Sequence, residues 1–175
     1  GEEVARRVDF APESLLDLGA GCGAAALALR EVWPSLEVIS ALEHSTAMAA
    51  LGRKLLPGAS WRTADFRGPV AYGPHDVVVF GYSYGEAGEE CLEKAWAAAE
   101  KLLIVIEPGT PAGFKRVLGA REWLIGKGAA IAAPCPSAAT CPSEDWCHFA
   151  VRLNRSSLHR RLKEGALGYE DEKYS

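Results

Sequence analysis

The chain has 175 residues, a formal net charge of −4 and a pI near 5.6. This length is enough for one domain with a sizeable core, and 49% apolar and 24% charged residues are a balance typical of globular proteins. No apolar run reaches the roughly 20 residues that span a bilayer, so we expect no membrane partner. The mild acidity does not indicate a nucleic-acid binder, although basic residues can be segregated along a chain.

The start of the chain and its cysteines limit the organisation further. The sequence starts at Gly1 and shows no basic segment followed by an apolar one, which argues against a signal peptide. We interpret 1–175 as one domain, a piece of a longer protein, and expect a monomer. Five cysteines without a secretory signal argue against a disulfide framework and favour metal binding or burial.

Short apolar runs alternate with helical patterns along the chain. The first part predicts strands at 14–18, 36–42 and 60–63, with helices at 22–33 and 45–56 between them. The second part predicts strands at 76–81, 102–107, 129–133 and 148–153, with helices at 89–101 and 114–127. This alternation indicates βαβ units and a mostly parallel sheet flanked by helices, which is a Rossmann-like α/β fold.

A glycine-rich loop, DLGAGCG, joins the first predicted strand to the first predicted helix. Glycines let a backbone approach a ligand closely, and the following helix start offers free N–H groups. The G-x-G-x-G spacing after an acid resembles the first motif of class I methyltransferases. The resemblance implies that S-adenosylmethionine is bound by Asp17, Gly19, Ala20, Gly21 and Gly23. An NAD site, or a tight turn without a ligand, is the alternative, because Ala24 is tolerated at the end of G-x-G-x-x-G.

Candidate cofactor ligands also follow the next three strands. Glu43 lies about 20 residues beyond the glycine loop, where a carboxylate accepts hydrogen bonds from ribose hydroxyls, and His44 comes directly after it. In the class I methyltransferases an acid after the third strand lies near the adenine amino group. Asp65 occupies that place and Phe66 follows, while Gly81 ends the fourth strand.

The segment after the fourth strand reads FGYSYGE from Phe80 to Glu86. It lacks the Asn/Asp-Pro-Pro-aromatic motif of amino-methylating members of the fold, and it lacks the cysteine of cytosine-methylating members. Catalytic residues therefore stay unassigned, and enzyme activity stays open. Tyr82, Tyr84 and Glu86 either line a pocket and stack a base or simply cover the end of the sheet.

A cysteine-rich loop at 134–148 is expected just before the last strand. Cys135, Cys141 and Cys147 recur with five residues between successive cysteines, and a proline directly follows each of the first two. Thiolates suit zinc or an iron–sulfur cluster, and prolines stiffen a loop that holds ligands. A closed site needs a fourth ligand, and the spacing is not that of a C-x-x-C zinc knuckle. Three unliganded cysteines are the alternative.

Several strings in the C-terminal half resemble one family. They are EPGTP at 107–111, DWCHF at 145–149, HRRLK at 159–163 and LGYEDEK at 167–173. These strings are similar to the methyltransferase-like small-ribosomal-subunit assembly proteins of mitochondria and bacteria. The resemblance implies a methyltransferase fold that binds the small ribosomal subunit or its RNA. It also implies a [4Fe-4S] cluster in which Cys135, Cys141 and Cys147 are three ligands and the fourth lies beyond Ser175, with zinc as the alternative.

A basic segment at 152–163 fits an RNA partner. Guanidinium groups suit phosphate oxygens, and they are concentrated here in an otherwise acidic chain. The candidate RNA-binding residues are Arg152, Arg155, Arg160, Arg161 and Lys163, with His159 among them. The alternative is a solvated helix face that begins at a Ser156 cap.

Three functions remain open at this point. The first is a cofactor-binding assembly factor with a cluster. The second is an active methyltransferase that modifies ribosomal RNA or protein and carries structural zinc, since methyl transfer can proceed mainly through proximity and orientation. The third is a zinc-bearing module that has lost its cofactor, which Glu43 and Asp65 argue against. We expect the protein in the bacterial cytoplasm or the mitochondrial matrix.

Overall fold

The computed structural model describes residues 2–143, 145–162, 164–165 and 168–175. Its helices are α1 (Glu2–Ala5), α2 (Ala24–Val32), α3 (Thr46–Leu55), α4 (Glu89–Ala98), α5 (Pro111–Gly126) and α6 (Ser157–Leu162). Its strands are β1 (Ser14–Leu18), β2 (Val38–Glu43), β3 (Ser60–Thr63), β4 (His75–Gly81), β5 (Ala99–Ile106), β6 (Phe149–Asn154) and β7 (Tyr169–Tyr174). A short 3-10 helix spans Tyr84–Glu86. None of the described helices is both long and apolar enough to cross a bilayer.

Five strands form a parallel sheet in the order β3-β2-β1-β4-β5. Strand β1 lies at its centre, where Leu15 is level with Ile39 on one side and Val77 on the other. Strands β6 and β7 form a separate antiparallel pair. The end of β7 also reaches the main sheet, because Ser175 and Glu107 exchange two backbone hydrogen bonds of 2.8 and 2.9 Å. The predicted mostly parallel α/β fold is confirmed.

Helices cover both faces of the parallel sheet, as expected for strands that are apolar along most of their length. One face of β1 and β4 packs with α2, and this core includes Leu15, Val77, Ala26, Leu29 and Trp33. The opposite face packs with α4, and this core includes Leu16, Val78, Phe80, Cys91 and Ala95. Successive side chains of a strand point to opposite faces, which is why neighbouring residues of β1 and β4 belong to different cores.

Three sequence-based expectations about this fold were wrong. No strand forms at 129–133, because the chain leaves α5 through Gly128 at φ +89° and the amide of Ala129 bonds back to Leu124. The helix predicted at 89–101 ends at Ala98, and β5 already begins at Ala99. The cysteine-rich loop lies before β6 and is followed by two strands, because the acidic segment of β7 pairs with β6 through its backbone.

The contact between α3 and β3 depends on a glycine. A Cβ atom at Gly52 would lie 2.1 Å from the ring of Trp61. The indole Nε1 donates to the carbonyl oxygen of Leu56, so the ring cannot move away without losing this hydrogen bond. The close approach therefore requires the absence of a side chain at this position.

We expect Gly52→Ala to lower the free energy of unfolding by about 1–3 kcal/mol, because the added methyl group overpacks the contact with Trp61. Gly119→Ala in α5 is the matched control, since a Cβ there meets no atom within 4 Å. The control should be neutral or more stable by up to about 1 kcal/mol. Urea denaturation of both variants measures the difference, and equal stabilities would contradict the described packing.

Candidate cofactor-binding site

The glycine-rich loop lies where the order of the parallel strands reverses. From β1 the chain builds outward through β2 to β3, and later returns to place β4 on the other side of β1. In open α/β sheets, the crevice at the carboxyl ends of the strands on either side of such a point is where ligands bind. The loop follows β1 directly and leads into α2, so its backbone borders this crevice.

Three glycines give the loop its shape. Gly19, Gly21 and Gly23 have φ angles of +73°, +56° and +91°, in the left-handed region that other residues rarely adopt. A Cβ at Gly19 would also lie 2.5 Å from Cβ of Ser83, so the loop approaches the end of β4 more closely than a side chain allows. The amides of Gly19 and Ala20 both donate to the carbonyl oxygen of Leu42, which fixes the loop against β2.

Asp17 is a buried carboxylate with one unsatisfied oxygen. Its side chain is 1% exposed, and Oδ2 accepts from the amide of Ala26 in α2 at 3.2 Å. Oδ1 is buried and has no hydrogen-bond partner within the described residues. Burial raises the pKa of Asp17 to about 7, and the nearby charge of Glu43 acts in the same direction. A buried polar atom without a partner is costly and calls for an explanation.

Glu43 links the glycine loop to the turn after β2. Its Oε2 accepts from the amide of Gly21 at 2.8 Å, and its Oε1 accepts from the amide of Ser45 at 2.7 Å. Nδ1 of the half-exposed His44 lies 3.4 Å from Oε1. Each carboxylate oxygen has two lone pairs, so Glu43 retains capacity for further donors while it holds the two backbone segments together.

The residues after β3 are divided between surface and core. Asp65 is exposed and forms a bidentate pair with Arg67, with distances of 2.8 to 3.1 Å. These hydrogen bonds lower the pKa of Asp65 to about 2. Phe66 is buried and packs edge-on against Phe80 at 5.9 Å between ring centroids. Its ring lies 3.1 Å from the position that a Cβ of Gly19 would take, so Phe66 contacts the loop.

Gly81, Ser83 and Glu107 complete this end of the sheet. A Cβ at Gly81 would lie 2.9 Å from Cβ of Ala25, so the glycine permits close packing of α2. Sequence reasoning missed the other two residues. The buried Ser83 hydroxyl donates to the carbonyl oxygen of Leu18, directly before the glycine loop. Its only sequence signal was a small hydroxyl residue shortly after a buried strand.

Glu107 is a second fully buried carboxylate, and each of its oxygens has a hydrogen-bond partner. Its Oε1 accepts from the amide of Gly85 at 2.9 Å, and its Oε2 accepts from Nη1 of Arg116 in α5 at 3.1 Å. The side chain thus ties the segment after β4 to the end of β5 and to α5. The acid that ends an apolar strand was its only signal in the sequence.

The three candidate metal ligands do not form a site in the described part of the chain. Cys135 and Cys147 are exposed and Cys141 is half-buried. No group of three or more metal-ligating side chains is found among the described residues. The loop is nevertheless attached to the end of the chain, because the hydroxyl of Ser175 donates to the carbonyl oxygen of Cys147 at 3.1 Å.

The predicted RNA-binding residues that the structure describes lie on β6, directly after it, and on α6. Ser156 caps α6, since its hydroxyl accepts from the amide of His159 at 3.1 Å, which is the cap named in the alternative of a solvated helix face. Arg160 and Arg161 are exposed in the last turn of this helix. On β6, the guanidinium of Arg152 lies 4.4 Å from the ring centroid of Tyr169. Arg155 follows β6 and is half-buried. Lys163 lies outside the described residues.

The pKa of Asp17 makes stability depend on pH. Because the folded pKa is raised to about 7 from 3.8, the folded chain holds the proton more tightly. The contribution of Asp17 to the free energy of unfolding should therefore be most favourable below about pH 4 and should fall as the pH rises toward about 7. Asp17→Asn should remove this loss. The free energy of unfolding of the variant minus that of the unmodified chain should therefore increase by roughly 2–3 kcal/mol from pH 5 to pH 8.

Chemical denaturation at several pH values measures this difference. Asp65→Asn is the control, because a carboxyl with a pKa of about 2 is already ionised across that range and adds no pH dependence. A constant difference between Asp17→Asn and the unmodified chain would contradict a protonated Asp17 in the folded state.

Comparisons with known proteins agree with this geometry. A family model described as "Mitochondrial small ribosomal subunit Rsm22" matches residues 2–175. The human protein named "Ribosome assembly protein METTL17, mitochondrial" is 30% identical, and the match covers 79% of this chain and 36% of the human protein. The chain thus spans about a third of the length of this relative.

Solved structures establish the fold. The plantazolicin methyltransferase BpumL in complex with SAH matches with a TM-score of 0.57 at 14% identity, covering 98% of this chain and 78% of that one. BpumL in complex with a pentazolic desmethylPZN analog and SAH matches with a TM-score of 0.55 at 12% identity, covering 93% of this chain and 75% of that one. The chain has the class I methyltransferase fold, and its match over residues 2–175 shows that it belongs to the mitochondrial small ribosomal subunit Rsm22 family.

Proposed function

We propose that this chain is the S-adenosylmethionine-binding domain of a mitochondrial-matrix protein that assembles the small ribosomal subunit. The ribosomal part of the proposal comes from the family and from the human relative, which is named a ribosome assembly protein. The cofactor part comes from the site itself. The observation that carries it is the buried, unpaired oxygen of Asp17 directly below a glycine loop at the reversal point of the sheet.

The residues present fit this cofactor chemically. S-adenosylmethionine carries a cationic ammonium group, and a hydrogen bond from it to Asp17, directly or through water, would supply the missing donor and favour the ionised carboxylate. The ribose hydroxyls are donors that suit the remaining lone pairs of Glu43. The cofactor would supply an activated methyl group, while these residues bind and orient it.

The other candidate cofactor-binding residues are proposed to surround the adenine ring. The glycines at 19, 21 and 23 give the loop a left-handed backbone conformation that other residues rarely adopt. We propose that the adenine lies between this loop and the turn that bears His44, with Phe66 below the loop as apolar support. Asp65 serves the adenine amino group in this proposal, and its pair with Arg67 holds the carboxylate ionised for that purpose.

We expect Glu43→Gln to weaken binding of S-adenosylhomocysteine by about tenfold or more, because a charged acceptor is replaced by a neutral one with a single oxygen. Isothermal titration calorimetry measures the dissociation constant. Glu37→Gln is the matched control, since Glu37 is exposed near the opposite end of β2 and has no side-chain partner among the described residues. Binding that is equally strong in both variants would overturn the assigned role of Glu43.

Catalysis of methyl transfer is a second candidate function. The observation in its favour is Tyr82, a non-glycine residue held at φ +61° at the end of β4, since strained backbone is concentrated at functional sites. Its side chain is 55% exposed. In this alternative the chain methylates ribosomal RNA or a ribosomal protein by proximity, and a structural zinc replaces the cluster. Transfer of a labelled methyl group to small-subunit RNA or protein separates it from assembly without catalysis.

We also propose that the loop at 134–148 carries a [4Fe-4S] cluster. Support comes from the ligand chemistry of three thiols at equal spacing and from the resemblance of the DWCHF segment. The described conformation does not bring the three sulfur atoms together, so cluster binding requires this loop to rearrange and to recruit a fourth ligand. The attachment of Cys147 to Ser175 would then link the cluster to the end of β7.

Anaerobic purification of the longest available form of the protein tests the cluster. We expect a brown protein with about four irons and four sulfides per chain, and loss of both on Cys141→Ser. Cys91→Ser is the control, because Cys91 lies on α4 with its side chain buried in the core, and its replacement should not affect iron content. Stoichiometric zinc with no iron after reconstitution would favour the zinc alternative. A protein that contains neither metal would contradict both the cluster and the zinc site.

The remaining proposals concern the partner. The exposed guanidinium groups of Arg160 and Arg161, with Arg152, Arg155 and Lys163, are proposed to contact phosphates of the small-subunit RNA. Such contacts position a protein on RNA without reading its sequence. We propose that the domain acts as a monomer on the subunit.

A further inference from the structure

A cleft of about 290 Å³ lies between the segment after β4 and helix α5. Its walls include Tyr84, Gly88, Glu89, Lys115 and Gly119, and none of the residues of the glycine loop lines it. The cleft is therefore separate from the proposed cofactor site. It is connected to that site through only a few residues, because Ser83 contacts the glycine loop and Tyr84 follows directly.

Glycines are among the residues that line the cleft, so part of its surface is backbone. A Cβ at Gly88 or at Gly119 would meet no atom within 4 Å, so both glycines leave open space above them. Beside them stands the half-buried ring of Tyr84, which packs edge-on against Phe80 at 5.5 Å between centroids. Open space beside an aromatic ring provides room and contact area for a planar group.

Hydrogen-bond donors gather on one side of this cleft. Within the described part of the chain, the ammonium group of Lys115 and the hydroxyl of Tyr84 have no hydrogen-bond partner. Arg116 uses Nη1 for Glu107, and its other N–H groups bond to no described residue. Two adjacent cations and a phenol hydroxyl are a donor set that suits a phosphate group.

An acceptor lies on the opposite side. Glu89 begins α4, and its Oε1 accepts from Nε1 of Trp123 at 2.9 Å, which holds the carboxylate in position. Its second oxygen accepts no hydrogen bond from the described residues, so it can accept from an amino or hydroxyl group of a ligand. Along α5 the two cations come first, the small residues Gly119 and Ala120 follow, and Trp123 then holds Glu89, so the cations and the acceptor lie on either side of the small residues.

We propose that this cleft binds one unpaired nucleotide of single-stranded RNA. The phosphate contacts Lys115 and Arg116, the base lies over the glycines beside Tyr84, and Glu89 accepts from a base amino group or a ribose hydroxyl. The volume suits one nucleotide, and stacking of unpaired bases on aromatic side chains is the common mode of single-strand recognition. This inference rests on the proposed RNA partner and adds a second, nucleotide-sized contact to the basic helix α6.

Photocrosslinking locates this contact directly. A single-stranded RNA of about ten nucleotides with 4-thiouridine should crosslink to a peptide that contains Tyr84 or Lys115. Gly119→Leu, which fills the cleft, should lower the RNA affinity five- to tenfold by fluorescence anisotropy. Gly126→Leu is the matched control, because it lies in the same helix with equally open space and outside the cleft. Lys115→Gln should reduce the slope of log K against log salt by about 0.7, as for one phosphate contact to a single strand.

The remaining outcomes separate this inference from the proposed function. Arg160→Gln combined with Arg161→Gln tests α6 alone. Weaker binding in this double variant, with crosslinks only in 152–162 and no effect of Gly119→Leu, would overturn the cleft and leave the RNA proposal standing. Absence of RNA binding in the unmodified chain would overturn both. Displacement by an acidic peptide or by a free 5′-mononucleotide, with no preference for single-stranded RNA, would also overturn the cleft proposal.

Discussion

The position of β1 between β2 and β4 determines where each part of the candidate site lies. Because all three strands are parallel, their carboxyl ends meet at one edge, and the glycine loop, Glu43 and Ser83 come together there. The carboxylate of Glu43 then fixes the spacing of two loops by accepting from the amides of Gly21 and Ser45. The close approach of Gly19 to Ser83 fixes the position of the glycine loop relative to the end of β4.

Asp17 and Glu107, two of the buried carboxylates at this edge, differ in their hydrogen bonding. Glu107 accepts from Gly85 and is paired with Arg116, so it serves as a structural anchor for the segment after β4. Asp17 keeps one buried oxygen without a donor and has a raised pKa. Burying a carboxylate oxygen without a hydrogen-bond partner destabilises the fold, so this atom calls for an explanation other than stability. A cationic ligand would remove that cost, which makes Asp17 the centre of the binding proposal.

Local patterns in the sequence predicted much of this arrangement. The bounds of β1 and β3 and the loop between β1 and α2 follow from apolar periodicity and from the glycines of the loop. Strand β7 was missed because its acidic residues show no apolar alternation, and only pairing with β6 makes it a strand. Ser83 and Glu107 were missed because their partners are distant in sequence. The position of Cys147 depends on such a distant contact too, through its carbonyl oxygen and Ser175.

The central claim is that the reversal point of the sheet binds S-adenosylmethionine through Asp17, the glycine loop and Glu43. Two-dimensional ¹⁵N NMR during titration with S-adenosylhomocysteine tests it most directly. We expect the largest saturable shifts at the amides of Gly21 and Ser45, because both donate to Glu43, with further shifts at Gly19 and Ala26. Saturable binding with shifts elsewhere, or no shifts at millimolar ligand, would contradict the account.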